Sequence, residues 1–116
     1  MTNPALTIST RSERGATVVA PVGDVDLNAA PSLKAHLRTA HASMGAGSLL
    51  VIDLAGVPYM DSSGLATLVE SMQASRRTGF TLKLCNLGPR VRAIFEIAKF
   101  HRVFTIVPTL DDALAN

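Results

Sequence analysis

Leu49-Leu50-Val51-Ile52-Asp53-Leu54 is an apolar run interrupted only by Asp53. It is too continuous for a half-exposed strand and predicts a central one, covered on both faces, in the middle of a sheet. It also falls far below the roughly 20 apolar residues that cross a bilayer, so no transmembrane helix is expected. Downstream, Tyr59-Met60-Asp61-Ser62-Ser63-Gly64 reads as a loop. From Gly64 the spacing of Leu65, Leu68, Val69 and Met72 predicts a helix, with Arg76 and Arg77 in its last turn and Gly79 as its stop. Phe80, Leu82 and Leu84 then alternate with Thr81, Lys83 and Cys85 as a strand should. Pro89 suits the first position of a further helix carrying Val91, Ile94, Phe95 and Ala98 at helical spacing. Phe104 to Val107 reads as a short strand, and Thr109 with Asp112 resembles a capping box for a last helix that buries Leu110, Ala113 and Leu114.

Upstream of the central run, Leu6, Ile8 and then Thr17 to Val22 suggest two antiparallel strands. They join around Ser12-Glu13-Arg14-Gly15, where Gly15 can take a positive φ. After Gly23, Asn28 is expected to cap a helix through Ala40, with Pro31 in its first turn and Leu33 and Leu37 on its buried side. The order is therefore ββαβαβαβα, an α/β fold with a mixed, mostly parallel sheet flanked by helices. The 116 residues hold 47% hydrophobic and 17% charged residues at a mean hydropathy of +0.29, and no linker or repeat divides them. One packed domain spanning 1–116 is expected, not a disordered chain.

The net charge is +2 and the pI about 9.1. Even so, Arg76, Arg77, Arg90, Arg92 and Arg102 lie among apolar helical positions without interleaved aromatics, which argues against nucleic acid as a partner. The first ten residues lack the features of a secretory signal, and Cys85 is the only cysteine, so the expected location is the cytoplasm and Cys85 is expected in the core. In a parallel sheet the functional loops gather at the carboxyl ends of strands. Gly23-Asp24-Val25-Asp26 and Tyr59 to Gly64 are expected to meet there.

Asp61-Ser62-Ser63-Gly64 sets an acid, two hydroxyls and a flexible residue at a helix start, where orphan N–H groups favour an anion; an ordinary N-cap accounts for the same four residues. A nucleophilic serine would need a base in reach, but no G-x-S-x-G elbow is present and His36, His41 and His101 lie elsewhere, on or after helices. The histidines and Cys85 lack zinc spacing, and Asp24, Asp26 and Asp61 could hold a hard cation only with further oxygen ligands, so no metal is expected. The glycines form neither G-x-G-x-x-G nor a P-loop, so no nucleotide cofactor is expected on this chain.

LLVIDLAGVPYMDSSGLATLVE, Leu49 to Glu70, resembles the signature of the STAS domain, specifically that of bacterial anti-sigma factor antagonists, also called anti-anti-sigma factors. GDVD at Gly23 to Asp26 and NLGPRVRAIFEIAKFHRVF at Asn86 to Phe104 extend the resemblance, in order, over nearly the whole chain. It implies a non-enzymatic phosphoprotein in a partner switch that regulates transcription. The unphosphorylated form binds an anti-sigma factor that is also a serine kinase and so frees a sigma factor; phosphorylation at Ser62 breaks that complex, and a serine phosphatase resets it. Asp24, Asp26, Asp61, Ser62, Ser63 and Gly64 are then the partner-binding switch loops, Asp26 matches the acidic position beside the serine, Mg-ATP belongs to the kinase, and the free protein is a monomer.

Phosphorylation adds roughly −1.5 to −2 charges. It is expected to leave the fold intact and to act by repulsion from Asp24, Asp26, Asp61 or acidic partner groups, and by steric blocking. The chain departs from the family at Lys99 and Ala66, where glycine is usual; Ala66 should favour helix and Lys99 should sit in an uncommon left-handed cap, neither touching the switch loops. The resemblance also admits an unphosphorylated STAS subunit of a signalling scaffold or lipid-transport complex.

Overall fold

The computed structural model describes residues 5–115. Arg14 (φ 50°) and Gly15 (φ 81°) both enter the left-handed region, the requirement of a two-residue turn whose twist matches its flanking strands. They join β1 (Thr7–Glu13) to β2 (Ala16–Val22) as an antiparallel hairpin. The chain continues through α1 (Ala30–Ala42), β3 (Leu49–Asp53), α2 (Ser62–Thr78), β4 (Thr81–Cys85), α3 (Pro89–Ile97), a 3-10 turn at Phe100–Arg102, β5 (Thr105–Val107) and α4 (Leu110–Leu114). The sheet order is β1-β2-β3-β4-β5, and every pairing after the hairpin is parallel. The expected α/β order is found, with β3 in the middle, and the 3-10 turn is an addition to it.

Alternation in the strands divides the interior into two layers. Val19, Leu50, Ile52, Leu82 and Leu84 face Leu33 and Leu37 of α1, Leu65 and Leu68 of α2, and Val91 and Phe95 of α3 in one cluster. Val18, Val51 and Cys85 form the other cluster with Ala113 and Leu114 of α4. Both faces of β3 are thereby covered, which is why its sequence is apolar without alternation. Each large aliphatic side chain withdrawn from water in this way contributes about 1.5–3 kcal/mol. Leu110 is only half-buried, because α4 is a single short helix lying over the sheet.

Three local expectations are corrected. Asn28 does not cap α1: the helix follows Ala29, whose methyl side chain has no acceptor, and the chain enters it through a turn in which Asp26 Oδ1 accepts from the Asn28 and Ala29 N–H groups (3.1 and 3.0 Å). α1 also runs on to Ala42, past Ala40. α2 begins at Ser62, not Gly64, so both serines lie in its first turn. Among the described residues no helix is long and apolar enough to cross a membrane.

Candidate functional site

The two carboxyl-end loops are stitched by a short extension of the parallel ladder beyond β2 and β3. Gly23 N donates to Gly56 O (2.9 Å), Val25 N to Tyr59 O (3.0 Å) and Asp61 N to Val25 O (3.2 Å). Val25 and Met60 pair across this extension and are fully or almost fully buried, so apolar burial pins the same junction that the hydrogen bonds hold. The loops therefore meet at one end of the molecule, as the strand order requires.

Asp61 is the knot of the junction. Its Oδ1 accepts from the Ser63 and Gly64 N–H groups (2.8 and 3.2 Å), capping α2, while Oδ2 accepts from Leu27 N (3.1 Å) in the other loop. One carboxylate thus satisfies orphan donors of the helix and fixes the neighbouring loop to it. Asp26 is bonded within its own loop, and Asp24 lies half-buried beside it without a side-chain hydrogen bond among the described residues.

Gly64 is not a flexible residue here. A Cβ on it would stand 2.6 Å from Met60 Cγ and 2.7 Å from Val25 O, so glycine is what lets the helix press against the first loop. Ser63 is half-buried, and its carbonyl oxygen accepts from Thr67 Oγ1 (3.1 Å). Ser62, the first residue of α2, is exposed, and its hydroxyl makes no hydrogen bond among the described residues.

Apolar surface borders that hydroxyl. Tyr59, Met60, Ala93, Ile94 and Ile97 line a shallow groove between the serine loop and α3, together with Asp61, Ser62 and Arg90. Leu27, Ala30, Pro31, Ala66 and Ser63 border a second groove between α1 and α2. Ile97 and Leu27 are 81% and 71% exposed, well beyond what burial in the isolated chain explains. Ala66 lines two depressions, one with Ser62 and one with Ser63, which corrects the expectation that it stands clear of the switch loops.

Arg90 and Ile97 belong to this surface although the sequence alone did not single them out for it, whereas Tyr59 lies in the loop that it did. A cation in the first turn of α3 runs against the helix dipole, and that mismatch at Arg90 was a readable signal. On the α1–α2 side, Arg38 donates to Glu70 at 2.6 Å and holds its carboxyl below the usual range; partial burial opposes this, and Lys34 at 3.4 Å adds to it.

The remaining reactive groups are elsewhere. His41 Nε2 shares a hydrogen bond with Ser71 Oγ (2.8 Å), and His36 is hydrogen-bonded to Thr10 on β1, so neither serves Ser62 as a base. Cys85 is buried; burial, with the Asp53 charge and hydrogen bond adding to it, pushes its thiol up to about 12. That suits a core residue, because the thiolate is the reactive form. Asp26 and Asp61 are committed to backbone N–H groups, and no group of three His, Cys, Asp or Glu among the described residues is placed to hold a metal.

Comparison with known proteins agrees with this architecture. An anti-sigma-B factor antagonist of Bacillus subtilis is 36% identical over 84 residues, 72% of this chain and 74% of its own. The crystal structure of an anti-sigma factor antagonist from Mycobacterium paratuberculosis superposes with a TM-score of 0.81 at 31% identity, covering 95% of this chain and 92% of that one. The phosphorylated form of the Bacillus cell fate determinant SpoIIAA shares the fold (TM-score 0.66, 20% identity, 93% and 96% covered). The family model for the STAS domain matches residues 7–113, and the chain belongs to that family.

Proposed function

We propose that this protein is an anti-sigma factor antagonist whose affinity for its partner is set by phosphorylation of Ser62. The observation that carries the reading is the state of Ser62: exposed, its hydroxyl without a hydrogen bond among the described residues, held at a helix start by Asp61 and bordered by Tyr59 and Ile97. The likeness to the Bacillus subtilis antagonist supports the partner class. Unmodified, the apolar rim and the bare hydroxyl seat against an anti-sigma factor that is also a serine kinase, and the sigma factor is released.

The chain is the phosphoryl acceptor and brings no catalytic base. Ser62 Oγ forms a bond to the γ-phosphorus of Mg-ATP held by the kinase; the bond to the bridging oxygen breaks, ADP leaves with its electron pair, and the hydroxyl proton passes to a base of the kinase. Hydrolysis by a serine phosphatase returns the hydroxyl and releases inorganic phosphate. The phosphate puts roughly −1.5 to −2 charges and a bulky group in the middle of the apolar rim, beside Asp61. Because the phosphate stands at the positive end of α2, the helix keeps it without unfolding.

Affinity capture from lysate of the native host, using wild type, Ser62→Ala and Ser62→Asp, tests this, with phosphosites mapped on the endogenous protein. A kinase-fold anti-sigma factor should be held by wild type and Ser62→Ala, and about tenfold or more weaker by Ser62→Asp if charge carries the switch. Transport subunits held equally by all three, with no phosphate at Ser62, would overturn the reading.

A further inference from the structure

Two cations border Ser62, and they differ in what already engages them. Lys34, which shares a depression with Ser62, lies 3.4 Å from the Glu70 carboxylate. Arg90, which lines the other groove with Ser62, makes no ion pair among the described residues. Its guanidinium instead stands 6.0 Å from the centre of the Tyr59 ring, at the outer limit of a cation–π contact. It also follows Pro89 in the first turn of α3, where the dipole disfavours a cation. Neither its helix nor a carboxylate holds Arg90, so it is available to an anion arriving in the groove.

We propose that Arg90 is the receptor within this chain for the phosphate on Ser62. When Ser62 carries a phosphomonoester, the guanidinium turns from Tyr59 onto its oxygens, a pairing that the planar fork of arginine makes bidentately and a lysine does not. The modification then reshapes the groove between α2 and α3, drawing Arg90 across the space that Tyr59, Ile94 and Ile97 border. The partner loses an apolar seat as well as meeting a new charge. The inference rests on Ser62 being the modified residue and adds the residue that reads the modification.

The test is a phosphorus NMR titration of the full chain made with phosphoserine at position 62. The second ionisation of the phosphate should have its midpoint about 0.5 pH unit or more lower in the Arg90 protein than in Arg90→Gln, with Arg90→Lys between them and Lys34→Gln unchanged from wild type. The Nε–H resonance of Arg90 should titrate with the same midpoint, a readout that needs no variant. Equal midpoints in wild type and Arg90→Gln would overturn the proposal, as would a midpoint that moves only in Lys34→Gln. Since the phosphate is installed during synthesis, either result stands apart from whether cells phosphorylate Ser62, which the lysate experiment decides.

Discussion

Asp61 and Gly64 act together on a junction that neither could hold alone. Asp61 binds the second loop to the first through Leu27 N, and Gly64 permits the contact distance at which that bond forms. The neighbour that a Cβ would strike is in part the Val25 carbonyl, itself fixed by the Asp61 N–H, so it has little freedom to withdraw. Gly64→Ala should therefore destabilise the protein by about 1–3 kcal/mol despite the better helix propensity of alanine. Urea unfolding measures this; a midpoint equal to wild type would mean that the junction yields. Ala66, two residues on, is solvent-exposed and lines the grooves beside the serines, so a Cβ there meets no comparable obstacle.

At the scale of elements, periodicity exposed the interiors and missed some of the ends. The β3 run, the Leu65-Leu68-Met72 spacing and Pro89 each led to the element found. The start of α1 did not follow its best capping residue: Pro31, where a cap at Asn28 would find its N3 donor, has no N–H, and Asp26 instead holds Asn28 and Ala29 in a turn ahead of the helix. The 3-10 turn has no periodic signature at three residues, but Lys99 before it was expected in a left-handed cap and adopts one, with φ 62° and ψ 23°. There its N–H donates to Glu96 O (3.0 Å) and the chain turns from α3 toward β5. Left-handed backbone costs a residue with a Cβ about 1–2 kcal/mol, and glycine returns part of that gain through its freer unfolded chain. Lys99→Gly should thus raise stability by up to about 1 kcal/mol, or several degrees in thermal unfolding. An unchanged or lower Tm would place the compensation for Lys99 elsewhere in the turn.

Across the whole molecule, the carboxyl ends of β2, β3 and β4 bring together residues from three distant stretches. Motif reading found Asp26, Asp61 and Ser62 but gave no role to Arg90 or Ile97 inside the stretch Asn86 to Phe104, because the spacing of Val91, Ile94, Phe95 and Ala98 described α3 and not the neighbour it would face. The α1–α2 interface also carries a polar, titratable cluster. Lys34 and Arg38 of α1 pair with Glu70 of α2, and His41 of α1 bonds Ser71 of α2 while its ring stacks on Phe80 at 5.7 Å. Burial holds the His41 pKa below its usual 6.5, with Arg77 and Arg38 acting in the same direction and Glu70 against it. The unfolded chain therefore binds a proton at His41 before the native one does. The stabilisation is complete above pH 6.5 and is lost as pH falls from there through the lower native value. Glu70, held low first by the Arg38 hydrogen bond, loses its contribution in a second, more acidic window that opens near its usual 4.5. Thermal unfolding followed from pH 7.5 to 3.5 should accordingly show two successive declines in Tm. His41→Gln, which can still hydrogen-bond Ser71 but cannot gain the charge, should flatten the first and leave the second. If the variant keeps the full slope between pH 6.5 and 5, the first decline arises from another group and His41 is not the acid-sensitive contact between the two helices.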